Sequence, residues 1–252
     1  MPTATSVPPT HGGLLARLDI LVNLVADRRG LALDPSGRMA AAEARLVAEA
    51  LELVPAPGPG GPGSPGGPGS RDPGGSPGPR DLAAVELLRA LAEAIGLVRD
   101  RGDRIEATSL RHPWAHLDPD LRAGLVYAAW CHRVPWAEML HDGPGPAVRA
   151  LRDGRPGVLR LLFGLPAGVD VHVPGLVAGV AERLGLPDEE WLVRAVAAVF
   201  LDPLVALGAA HVEPPPPEVP ARARFGARAQ TVIGSALIAA GEDVPLKGAP
   251  MG

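Results

Sequence analysis

Residues 55–80 contain 9 Pro and 10 Gly in 26 positions and no aliphatic side chain larger than Ala. Such a stretch buries too little apolar surface to offset the entropy of ordering it, so it is expected to be a disordered, flexible linker. Gly60, Gly63, Gly66 and Gly69 begin Gly-X-Y triplets, but a run this short is far from a collagen helix. The linker sets the expected organisation: a disordered N-terminus over 1–11, a helix–strand–helix module over 12–54, the linker over 55–80, and a main helical body over 81–252. A module as short as 12–54 is marginal by itself, so it is expected to dock on the body.

Composition removes several classes of function. With 46% hydrophobic and only 3% aromatic residues, the chain can fill a core, and that core must be aliphatic. Its one lysine, Lys247, is followed by Gly248 in a Pro/Gly-rich tail, so there is no Walker A loop, no strand lysine of a kinase and no Schiff-base lysine. One cysteine, Cys131, rules out an intrachain disulfide framework and a multi-Cys zinc module. The first residues carry no signal-peptide pattern, and Arg194, Asp202 and Pro203 interrupt the longest apolar stretch, 192–212. A cytoplasmic protein with no cofactor and no membrane partner is expected. The net charge of −4 is not a basic nucleic-acid footprint.

Along the chain, Leu14, Leu18, Leu21, Val22 and Val25 recur at helical spacing up to Arg28-Arg29-Gly30. A short apolar pair, Leu31-x-Leu33, a turn at Asp34-Pro35-Ser36-Gly37 and a second helix over 39–54 follow. In the body, a helix from Leu82 to Ile95 closes at Gly96 and precedes a hairpin over 97–107 with an Asp-Arg-Gly-Asp turn. Near the C-terminus, a helix over 188–206 precedes a second hairpin within 209–225, whose tip is the proline loop 214–220. Helices over 119–132, 136–140, 147–163 and 173–184 lie between. The fold class predicted is mainly α with small β-hairpins (α+β): tandem winged-helix-like modules joined by the disordered Gly/Pro-rich linker.

The chain resembles a family of actinobacterial proteins built of winged-helix-like repeats, relatives of plasmid ORF-3-like proteins and of helicase-associated helical regions. The residues that carry the resemblance are Gly30-Leu31-x-Leu33-Asp34-Pro35-Ser36-Gly37-Arg38, Gly96-Leu97-Val98-Arg99, Trp114-x-x-Leu117-Asp118-Pro119-x-x-Arg122 with Ala129-Trp130, and Leu207-Gly208-Ala209. Thr231-x-x-Gly234 and Ala239-Ala240-Gly241-Glu242-Asp243-Val244-Pro245 belong to the same set. The turn Leu-Thr-Pro-x-Gly of such relatives stands here as Leu33-Asp34-Pro35-Ser36-Gly37, and there is no helicase motor. The resemblance implies a fold and a setting near DNA or transcription, and it transfers no catalytic residue.

Three constellations bear on chemistry. A zinc site would draw on His112, His116, Cys131 and one of His132 or His141, although Pro113 puts His112 at a helix cap and no Cys-x-x-Cys or His-Glu-x-x-His frame fixes the geometry. Cys131 and His132 are adjacent on a helix and point about 100° apart, which argues against a thiol nucleophile. For nucleic acid, Arg149, Arg152 and Arg155 on one helical stretch and Arg222, Arg224 and Arg228 near the C-terminus are the locally basic candidates. Around the first hairpin, Asp100, Asp103 and Glu106 interleave with Arg99, Arg101 and Arg104 and offset them. The leading expectation is a non-catalytic winged-helix-like module, DNA- or transcription-associated. The alternative is a protein–protein interaction adaptor without nucleic-acid binding, and a metal-dependent hydrolase at the His/Cys cluster is third.

Overall fold

The computed structural model describes residues 13–51, 78–134, 140, 143–187, 190–213 and 220–242. The expected disordered N-terminus, most of the expected linker, residues 136–139 of the expected helix over 136–140, His141, nearly all of the second wing tip and the Lys247 tail lie outside them. The chain forms two compact units, one of Ala16–Ala115 and one of Met1–Leu15 with His116–Gly252. The described residues on both sides of the Gly/Pro-rich segment therefore belong to one unit, whereas the sequence puts a division at the segment itself. Both units are mainly helical, and each holds one small antiparallel sheet.

In the first unit, helix α1 (Leu14–Asp27) buries Leu18, Leu21, Val22 and Val25, the stripe that its spacing specifies. It ends where Arg29 takes the left-handed φ of 57° and Gly30 N–H donates to the Val25 carbonyl at 2.8 Å; Gly30 itself has φ 115°, and a Cβ there would stand 3.0 Å from the Ile105 carbonyl oxygen. Strand β1 (Leu31–Ala32) follows. The Asp34 carboxylate then closes the turn, accepting from Ser36 N at 2.8 Å, Ser36 Oγ at 2.6 Å and Arg38 N at 3.1 Å. Helix α2 (Ala41–Ala50) starts later than the expected Met39, because Met39 bridges back to Leu33 in β fashion, and residues 52–54 of the expected helix lie outside the described residues.

Helix α3 (Pro79–Ile95) starts earlier than expected, so Pro79 and Arg80 belong to it and not to the linker. Pro79 suits the first turn, where its missing N–H is no loss. Gly96, at φ 86°, caps the other end in the left-handed conformation. Hairpin strands β2 (Val98–Asp100) and β3 (Arg104–Ala107) come next. The sheet order is β1-β3-β2, with Leu31 opposite Ile105, so the segments on either side of the Gly/Pro stretch share one sheet. Two further bonds tie the unit together. Glu86 Oε1 on α3 accepts from Met39 N at 2.7 Å, and Trp114 on α4 (Arg111–His116) donates through Nε1 to Asp19 Oδ1 of α1 at 2.9 Å.

The second unit begins with α5 (Pro119–Arg133), whose N-cap Asp118 accepts from Asp120 N and Leu121 N. The stretch expected as one helix over 147–163 is two: α6 (Gly145–Asp153) and α7 (Arg155–Phe163). They break at Gly154, where a Cβ would stand 2.1 Å from a Leu184 methyl and 2.9 Å from the Ala150 carbonyl oxygen. Strand β4 (Asp170–His172), absent from the sequence reading, leads into α8 (Val173–Leu184). Helices α9 (Glu190–Val196) and α10 (Asp202–Ala206) flank a π-helical turn at Ala197–Leu201. Strands β5 (Ala210–Glu213) and β6 (Arg222–Phe225) and helix α11 (Ala227–Ala239) complete the unit.

Its sheet order is β4-β6-β5. The two units thus repeat one order, helix, strand, helix, helix, hairpin, with the first strand added beside the last. Helices α5 and α11 pack closely: a Cβ on Gly124 would stand 2.8 Å from that of Ser235. The π-helical turn is also anchored on α5. Pro203 has no N–H for the carbonyl of Val199, and the Trp130 indole N–H donates to that oxygen at 2.7 Å. The Tyr127 hydroxyl donates to the next carbonyl, Phe200, at 3.3 Å.

Candidate functional site

The six candidate arginines are spread over α6, the start of α7, β6 and the start of α11, and four of them are engaged by the protein. Arg224 makes a bidentate pair with Asp170, Nε to Oδ1 at 2.7 Å and Nη2 to Oδ2 at 2.9 Å, which joins β6 to β4 and holds the Asp170 carboxyl below its ordinary range. Arg228 donates to the Leu207 carbonyl at 3.0 Å and the Pro119 carbonyl at 2.8 Å. Its Nε is 2.6 Å from Asp120 Oδ1 but out of line for a hydrogen bond, so that contact is coulombic. Arg228 is thus a brace between the start of α5 and the turn after α10.

Arg155 donates to the Arg152 carbonyl at 2.8 Å and to the Cys131 carbonyl, and burial lowers its pKa. Arg152 pairs with Asp153 at 2.9 Å. Arg149 and Arg222 are exposed and make no ion pair among the described residues.

The outer face of the second sheet gathers ionisable side chains in two cross-strand rows, Asp170–Arg224–His211 and His172–Arg222–Glu213. All six are exposed, and two arginines face two carboxylates. The first hairpin is balanced in the same way. Glu106 Oε2 lies 3.6 Å from Arg99 and 3.3 Å from Arg101, and Arg104 stands 4.0 Å from Asp103. Exposed pairs of this kind contribute little stability but cancel the local field.

The described zinc candidates lie on α4 and α5. No group of three or more His, Cys, Asp or Glu side chains placed to hold a metal occurs among the described residues. His112 and His116 are exposed on α4 on either side of buried Trp114, and Cys131 is fully buried on α5. His141 lies outside the described residues. Burial pushes the Cys131 thiol up to about 12, so it holds its proton and is not a nucleophile at neutral pH.

His132 is half-buried, with Nε2 2.8 Å from the Ala236 carbonyl, so that nitrogen carries the proton. Burial, with Arg155 adding to it, lowers the His132 pKa from its ordinary 6.5. A lowered folded-state value means that His132 supports the fold above its unfolded pKa and that this support is lost as pH falls through the folded value. Acidification from about pH 7.5 to pH 5 should therefore lower Tm, and His132→Gln, which keeps an N–H donor but does not titrate, should flatten that slope. Thermal unfolding across the range measures both.

Sequence reasoning missed the pairing that neutralises Arg224, because its partner is on a strand too short to show periodicity. It also missed Trp191, whose buried indole N–H has no hydrogen-bond partner among the described residues and lies against the Gly143 backbone. No described helix is long and apolar enough to cross a membrane. Compared with known proteins, the chain matches no family model, no curated protein and no solved structure.

Proposed function

We propose that the chain is a non-catalytic pair of winged-helix-like units that serves as a protein-interaction module. The repeated order, with the first strand added beside the last, supports the winged-helix-like reading of both units. The observation that favours protein over DNA is the charge of the helix ahead of each hairpin, the one that a DNA-binding unit lays in the major groove. Helix α3 carries Asp81, Glu86 and Glu93 against Arg80 and Arg89, and Arg89 is paired with Glu86 at 2.8 Å and Glu93 at 3.2 Å. In the second unit, α9 and α10 carry Glu190 and Asp202 against Arg194, which is paired with Glu190 at 3.0 Å. Net negative helices are repelled by phosphates, which supply most of the affinity for nucleic acid.

Binding to DNA is the second reading, and it rests on exposed Arg149 and Arg222. Fluorescence anisotropy with a labelled duplex at about 50 mM salt separates the two. The protein-interaction reading expects no saturable binding. Binding that weakens steeply with salt and is lost in the Arg149→Ala, Arg222→Ala variant would transfer the assignment to DNA.

A further inference from the structure

We draw no further inference here: the strongest candidate, the exposed apolar stripe of Leu121 and Leu125 one turn apart on α5, is an unpartnered helix face, and nothing in the structure shows what covers it.

Discussion

Trp130→Ala should destabilise the unit containing α5 and α11 by about 3–5 kcal/mol, among the largest effects of any single truncation in the chain. Two costs add. The side chain is buried, so truncation leaves a cavity in an otherwise aliphatic core. Its N–H also donates to the Val199 carbonyl, whose α-helical partner position is held by Pro203, so truncation removes a buried hydrogen bond. Trp130→Phe separates the terms. It keeps most of the ring volume and loses the donor, and about 1–3 kcal/mol of loss is expected from it. Chemical denaturation followed by tryptophan-independent far-UV circular dichroism gives both values. Equal stability of Trp130→Phe and wild type would show that the Val199 carbonyl does not depend on the indole.

Ile105→Asp should unfold the unit of Ala16–Ala115. Ile105 is fully buried on the central strand of its sheet and faces fully buried Leu31 across the β1–β3 pairing. A carboxylate there has no described cation to meet it, and burying an uncompensated charge costs more than about 4 kcal/mol, a large part of the stability of a small domain. Helices α1, α2 and α3 should lose amide protection together, although α1 and α2 lie on the other side of the Gly/Pro-rich stretch from Ile105. Ile105→Val, which keeps shape and polarity, should cost about 0.5–1.5 kcal/mol and leave protection in place. Hydrogen exchange by mass spectrometry reads each helix separately. Persistent protection of α1 and α2 in Ile105→Asp would mean that they fold without the hairpin.

The helices were legible where apolar spacing is strong. Leu18, Leu21, Val22 and Val25 define the buried face of α1, and Gly96 marks the end of α3 through its left-handed φ. The first hairpin could be read from alternation around a turn, and the strands β5 and β6 from their place after a helix that ends at Leu207-Gly208. What could not be read is which distant strand joins them. Leu31–Ala32 and Asp170–His172 are too short to carry a period, and their pairing with β3 and β6 depends on tertiary packing. The same limit hid the division into units, because the Gly/Pro-rich stretch looks like a boundary until β1 is seen beside β3.

For the candidate site, local composition revealed how many arginines there are but not how they are used. Arg224 meets Asp170 and Arg228 meets Pro119 across long sequence separations, so a basic run in the sequence is largely spent on holding the fold. Around the first hairpin the neutralising residues are close in sequence, and the balance of Arg99, Arg101 and Arg104 by Asp103 and Glu106 could be read directly.

The central claim is that the residues before and after 52–77 form one folded unit. It can be tested by placing a protease recognition sequence between Gly66 and Gly67, cutting the purified protein under native conditions and passing it over a sizing column. The two pieces should elute together with unchanged far-UV circular dichroism, because the β1–β3 pairing, the Met39–Glu86 bond and the Trp114–Asp19 bond all cross the cut. Separation of the pieces under native conditions, with the larger one still folded, would contradict it.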